Sequence, residues 1–225
     1  MKLVLIRHAH STSNEAGLLS GRLPGVHLST KGVKQAEELA LRLGAFHVSE
    51  LRVSPMERCF ETISPWLNTV ALTKVPKLAP IFDENINEVD YGSWSGKKLS
   101  SLSRKKEWRV VQESPSRMYF PEGESISQMQ VRAMKSVHQL AALPNSATAV
   151  LVSHGDVIKS IVASALGMHL DEFQRLVIDP ASISVLEFSG IKPRTLVIND
   201  TRAVLTDLLT APKRARNLIG GGAGK

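Results

Sequence analysis

Two histidines in this chain sit where side chains could do chemistry: His8 in Arg7-His8-Ala9-His10 and His154 in Ser153-His154-Gly155. Each follows a short apolar run, Lys2-Leu3-Val4-Leu5-Ile6 before the first and Thr148-Ala149-Val150-Leu151-Val152 before the second. Runs of that length bounded by polar residues read as buried strands, too brief for helices. Both imidazoles then lie just past the carboxyl ends of strands, the edge at which open α/β sheets bind ligands. A neutral imidazole is a competent nucleophile near pH 7, and its surroundings easily move its pKa. With an arginine directly before it, such a histidine suggests chemistry on an anion.

The elements that must position these groups follow from the rest of the chain. Ser29-Thr30 offers capping hydroxyls for a helix that runs to residue 43 and stops at Gly44. Residues 46–53 read as a strand, and Ser54-Pro55 as the cap and first-turn proline of a helix over 56–64 that Pro65 ends or kinks. A strand is expected at 77–82, a loop at 83–96, and one helix around 99–111 inside a basic, irregular stretch. Ser125 caps a helix to residue 143, and further helices are expected at 156–166 and 170–177 before closing strands at 183–188 and 195–198. Strands alternating with helices predict a three-layer α/β/α sandwich with a largely parallel central sheet.

With 225 residues the chain has the length for one domain with a substantial core, read here as residues 1–205. Residues 206–225 are expected to form a basic, partly disordered tail ending in Gly220-Gly221-Gly222-Ala223-Gly224-Lys225. The formal charge of +7 is concentrated in Lys97-Lys98, Arg104-Lys105-Lys106 and Lys213-Arg214-Ala215-Arg216. No aromatic platform accompanies those clusters, so they read as a solvated face and a charged tail, and no nucleic acid partner is expected. The apolar stretches fall short of a membrane span, and the opening run ends too early for a signal peptide, so a cytoplasmic protein is expected. Cys59 is the one cysteine, which excludes an intrachain disulfide and a thiolate zinc cluster; it reads as a small buried hydrophobe.

Five motifs occur in order: Arg7-His8-x-x-Ser11-x-x-Asn14, Ser54-Pro55-x-x-Arg58-x-x-x-Thr62, Glu88-x-x-Tyr91-Gly92-x-Trp94-x-Gly96, Pro121-x-Gly123-Glu124-Ser125 and Ser153-His154-Gly155. Together they resemble the histidine phosphatase superfamily, also called phosphoglycerate mutase-like, from Leu3 to about Phe188. The opening octad and Glu88-Val89-Asp90-Tyr91-Gly92 look most like an actinobacterial branch labelled phosphomutase or phosphoglycerate mutase. A lone Arg-His pair would mean little.

The resemblance implies a phosphoglycerate mutase-like fold and a catalytic set of Arg7, His8, Arg58, Glu88 and His154. His8 would accept the phosphoryl group, and Arg7, Arg58 and His154 would surround it. A cation ~4 Å from one phosphate charge is worth roughly 4 kcal/mol at an effective dielectric of 20, so three such groups supply much of the stabilisation without a metal. No cofactor and no metal are expected, since nothing here supplies an octahedral carboxylate site. Glu88 would protonate the leaving alkoxide and then activate water, which requires a raised pKa. Asn14, Ser11, Ser20, Gly21, Tyr91, Lys98 and Gly155 match positions that touch the phosphate or the substrate. The helix after His154 would add its N-terminal amides.

Ala9, His10 and Ser11 stand where many members carry glycine, glutamate and threonine; Ala9 costs little unless its backbone needs positive φ, and His10 would make the pocket more cationic. The expected activity is hydrolysis of small phosphomonoesters, with a small phosphorylated metabolite as the partner. A cofactor-dependent phosphoglycerate mutase or other phosphomutase is the alternative. Against it, true cofactor-dependent mutases carry adjacent arginines and a long insertion, whereas this chain has one arginine at Trp108-Arg109-Val110 and no room between Pro115 and Ser125. A third reading, a non-catalytic binder of anions or nucleic acid, has no need of His8 and Glu88 together.

Overall fold

A computed structural model describes residues 1–71, 79–190 and 192–209. Its helices and strands are β1 (Lys2–Arg7), α1 (Thr12–Ala16), α2 (Thr30–Leu43), β2 (Glu50–Val53), α3 (Glu57–Ala71), β3 (Ile81–Phe82), α4 (Leu99–Leu102), α5 (Lys106–Glu113), α6 (Ile126–Ala141), β4 (Thr148–Ser153), α7 (Gly155–Ala165), β5 (Ile183–Glu187), β6 (Arg194–Asp200) and α8 (Leu205–Leu209). The strands form one six-stranded sheet in the order β3-β2-β4-β1-β5-β6. The first four run parallel, and β5 and β6 close the sheet antiparallel. This is the mostly parallel α/β/α arrangement that the order of elements predicts.

The apolar runs of β1 and β4 lack alternation because helices cover both faces of the sheet. Leu3, Leu5, Ala149 and Leu151 enter the core beneath α6 and α7, while Val4, Ile6, Val150 and Val152 enter the core beneath α2, α3 and α8. Lys2 pairs with Thr148 and Arg7 with Ser153, so the next residues, His8 and His154, leave the sheet abreast. The His8 amide still donates to the Ser153 carbonyl, at 2.9 Å. Helix starts follow their caps: the Ser29 hydroxyl accepts from the Gly32 amide, and Ser125 and Gln128 form a reciprocal capping box.

Several elements depart from the expected bounds. β2 begins only at Glu50, because Phe46 turns aside to stack on Trp66 at 5.5 Å. α3 runs through Pro65 to Ala71 instead of ending there. Proline costs about 3 kcal/mol inside a helix, and buried Ile63 and Trp66 on the same helix, with the indole N–H donating to the Gly44 carbonyl, hold it in place. The helix expected around 99–111 is two, α4 and α5. At about 3.6 residues per turn, Leu102 and Val111 would point to opposite sides of one unbroken helix, and the turn between them lets both reach the core. Residues 170–175 form a 3₁₀ segment, not an α-helix. Of the strand expected at 77–82, positions 77 and 78 lie outside the described residues, as does the tail from residue 210. α8 packs on the core through Leu205, Leu208 and Leu209. Among the described residues no helix is long and apolar enough to cross a membrane.

Candidate active site

His8 emerges from β1 almost fully buried. Its Nδ1 lies 2.8 Å from the Ala9 carbonyl oxygen. A carbonyl only accepts, so Nδ1 carries the hydrogen and the lone pair is on Nε2. Burial first, then the Arg58 and Arg7 guanidinium groups, hold the His8 pKa well below the usual imidazole range. The ring is therefore neutral at pH 7, with one defined nucleophilic nitrogen.

His154 stands across from it, ring centroids 5.2 Å apart and planes inclined by 62°. Its Nδ1 accepts from Arg58 Nη2 at 3.2 Å, so Nε2 carries the hydrogen and donates to Ser54 Oγ at 2.7 Å. Burial, then Arg58 and His8, lower its pKa well below normal, so His154 too is neutral and is not the third cation expected beside Arg7 and Arg58. Arg58 occupies the first turn of α3, where an arginine is usually solvated, yet it is fully buried. Its Nη2 also donates to the Gly21 carbonyl at 2.9 Å, while Nε and Nη1 have no hydrogen-bond partner among the described residues. Arg7 anchors Nη1 on the Ile178 carbonyl at 2.6 Å, and its buried Nε likewise has no partner among the described residues. Gly155 makes room for this guanidinium: a Cβ there would sit 3.3 Å from Arg7 Cζ. Unpaired buried N–H groups are costly, so two arginines carrying three such nitrogens mark a place built for an anion.

Glu88 completes the cluster. It is 9% exposed, Oε1 accepts from the Val89 amide, and Oε2 lies 3.5 Å from His154 Nδ1. Burial first, then the Asp156 carboxylate, raises its pKa to about 7. Tyr91, buried against Phe120, donates its hydroxyl to Asp156 Oδ2 at 3.1 Å. Arg7, His8, Glu88, Tyr91 and Asp156 border a cavity of about 430 Å³. His8, Glu88 and His154 present ligand atoms within 4.8 Å of one another, a spacing that suits a cation. The guanidinium groups of Arg7 and Arg58 act on the same spot, and both nitrogens of His154 are engaged, so the donor set favours an anion over a metal.

A model of the histidine phosphatase superfamily, branch 1, matches residues 3–201. The chain belongs to that superfamily. Phosphoserine phosphatase 1 of Hydrogenobacter thermophilus is 30% identical over 203 residues, spanning 89% of this chain and 93% of the relative. A protein of Erwinia tasmaniensis named "Probable phosphoglycerate mutase GpmB" is 25% identical over 186 residues, 82% of this chain and 83% of its own. Phosphoserine phosphatase from Entamoeba histolytica, in its crystal structure with 3-phosphoglyceric acid, shares the fold: TM-score 0.77 at 23% identity, covering 89% of this chain and 98% of that one. Membership makes this chain a phosphoryl-transfer enzyme of the phosphatase and mutase kind.

Most of the residues suggested by the histidine phosphatase resemblance converge. Arg7, His8, Asn14, Ser20, Gly21, Glu88, Tyr91 and Gly155 border the cavity, with Arg58 and His154 packed directly behind. Asn14 Oδ1 is used in the cap of α1, which leaves its amide nitrogen for the cavity. Ser11 does not reach the cavity; fully buried, it is the N-cap of α1. Lys98 does not reach it either. Its backbone pairs with Leu18, its side chain is exposed, and the next residue, Leu99, lines the wall instead. His10 turns away as well, its Nδ1 on the Ser29 hydroxyl, so it does not add charge to the lining. Ala9 is absent from the residues with positive φ, which explains why alanine is accepted there. Burial pushes the Cys59 thiol up to about 12, consistent with an inert packing residue.

The sequence reading missed Asp156 as a charged neighbour of Glu88, Ser54 as the partner of His154, and Lys159. Lys159 lies one helical turn past Gly155 in α7 and lines the cavity, held by Gln174 at 3.0 Å and Asp156 at 3.5 Å. The i, i+4 spacing from Gly155 was the available signal.

Proposed function

We propose that this chain is a metal-independent phosphatase of small phosphomonoesters that works through a phosphohistidine on His8. The reading rests on one juxtaposition: a neutral, tautomer-fixed His8 beside three unpartnered arginine nitrogens and a carboxyl with a pKa of about 7. In the first step the Nε2 lone pair attacks phosphorus, the bond to the leaving oxygen breaks, and Glu88 gives its proton to the departing alkoxide. The imidazole keeps its Nδ1 hydrogen on the Ala9 carbonyl, which supports the positive charge that builds up on the ring. In the second step water attacks phosphorus, its proton goes to the Glu88 carboxylate, and the N–P bond breaks to release inorganic phosphate. Arg7 and Arg58 hold the transferring oxygens throughout, each with N–H groups already desolvated.

Relatives named for phosphoserine and phosphoglycerate make carboxylate-bearing phosphomonoesters the first substrates to assay. The likeness to the GpmB protein favours mutase chemistry as the second reading. Purified protein is expected to hydrolyse p-nitrophenyl phosphate and to release phosphate from 3-phosphoglycerate without forming the 2-isomer. Brisk interconversion of 2- and 3-phosphoglycerate with 2,3-bisphosphoglycerate present, and little free phosphate, would replace phosphatase with mutase. Binding of phosphomonoesters with no turnover of any would leave the binder reading.

A further inference from the structure

Glu88 sits on an irregular stretch with no strand or long helix to fix it, yet three of the carbonyls there are captured by partly buried guanidinium groups. Arg132, on α6, donates to the carbonyls of Asn85 at 2.9 Å, Asn87 at 2.7 Å and Glu88 at 2.9 Å. Arg22 donates Nε to the same Glu88 carbonyl at 2.8 Å. Both arginines are held by one carboxylate, Glu124: Arg132 at 2.6 and 3.0 Å and Arg22 at 2.8 Å. Burial works against the charged form of Glu124, and Arg132, then the Asp90 amide and Arg22, overcome it to keep its carboxyl below the usual range. Glu124 also accepts the Asp90 amide through Oε1 and donates its own amide to the Asp90 carbonyl, both at 2.9 Å. The two segments are zipped so closely that a Cβ on Gly92 would fall 2.1 Å from the Pro121 oxygen, and one on Gly123 2.2 Å from the Asp90 oxygen.

Arg22 extends this clamp toward the phosphate cradle. The residue before it, Gly21, supplies the carbonyl that anchors Arg58. Two consecutive residues thus grip two parts of the centre, Gly21 the buried arginine and Arg22 the backbone of Glu88. We propose that Arg22 and Glu124 are positioning residues that set the Glu88 carboxyl at its distance from Arg58 and His8, and so govern proton delivery to the leaving group. This rests on the reading of Glu88 as the general acid. Neither residue borders the cavity, so neither is expected to touch substrate. A displacement of about 1 Å in a catalytic group costs as much as 10²-fold, and the loss should fall on substrates that need a proton.

The test compares an alkyl phosphate such as glycerol phosphate with p-nitrophenyl phosphate, whose leaving group departs without protonation. Arg22 is one-third exposed, so Arg22→Ala removes it with little risk to folding, and Glu124→Gln keeps the shape while weakening the clamp. Both variants are expected to lower kcat for glycerol phosphate by about 10- to 10²-fold, with less than a threefold change for p-nitrophenyl phosphate and KM little altered. The limb of the pH profile assigned to Glu88 should also move. Arg22→Lys, which can keep only one of the two contacts, should recover part of the loss. Equal losses on both substrates, or none in Arg22→Ala, would overturn the proposal. Glu88→Gln run alongside separates this from failure of the acid assignment: if that variant shows no preference between leaving groups, the acid role itself is wrong. If it does and Arg22→Ala does not, only the positioning role falls.

Discussion

The two halves of the site are held by different physics. Arg7, His8 and His154 project from the ends of β1 and β4, and strand register alone brings the two imidazoles abreast. Glu88 lies on irregular backbone and depends on side-chain to main-chain bonds from Arg132 and Arg22. A sheet edge positions catalytic groups through hydrogen bonds that the fold makes anyway. A loop does so only through polar contacts added for the purpose, each of which a single substitution can remove. Changes near the strand ends should therefore abolish chemistry outright, while changes on the loop side should alter which leaving groups are tolerated.

The largest expected effect is at the strand end. His8→Ala should lower turnover of p-nitrophenyl phosphate by about 10⁴-fold or more, since no other nucleophile replaces a neutral imidazole at that place. Turnover at an undiminished rate would exclude His8. Glu88→Gln comes next, with a loss of about 10²–10⁴-fold on alkyl phosphates and far less on p-nitrophenyl phosphate. In the wild type, alkyl phosphate turnover should decline as pH rises through about 7, where the raised Glu88 carboxyl gives up its proton. A flat profile between pH 6 and 8 (roughly one unit either side of that value) would contradict the assignment. Arg58→Lys keeps the charge but loses the planar fork with its unpartnered N–H groups, and should cost about 10²-fold in kcat on both kinds of substrate.

Glu88 also makes a stability prediction with a definite sign. Its carboxyl is raised from 4.5 to about 7, so between those values the folded chain holds a proton that the unfolded chain has released. Stability from this residue is present below pH 4.5 and is lost as pH rises through about 7. Glu88→Gln should therefore be more stable than wild type at pH 8, by at most about 3 kcal/mol for a shift of this size, with no advantage at pH 4. Urea denaturation at the two pH values reads this directly; a variant less stable at pH 8 would mean that Glu88 contributes attraction, not strain. The smallest effect is expected at Lys98, exposed and outside the cavity: Lys98→Ala should change kcat/KM by no more than about twofold, whereas Lys159→Ala should raise KM more.

What the sequence made legible divides along the same line. The apolar runs before His8 and His154 disclosed strands, and strands disclosed the edge where ligands bind. Arg58 and Glu88 were visible only through their motifs, since hydropathy places both among solvated charges, and burial is a tertiary fact. Lys98 and Ser11 show the limit of motif matching, because a position can correspond while its side chain faces solvent or caps a helix. Pro65 and the break between α4 and α5 were hidden for a related reason: the local preference of the chain yielded to the demand that Trp66, Leu102 and Val111 reach the core. The grip of Glu124 on Arg22 joins residues 102 positions apart, and no spacing rule reports it.

The claim on which the rest depends is that His8 takes the phosphoryl group on Nε2. Quenching the enzyme during turnover and mapping the phosphorylated peptide by mass spectrometry tests it. The expected result is an acid-labile, base-stable phosphoryl group on the peptide carrying residue 8, attached at Nε2 and absent from His8→Asn. A phosphoryl group on any other residue, or steady turnover with none trapped at residue 8, would contradict the account.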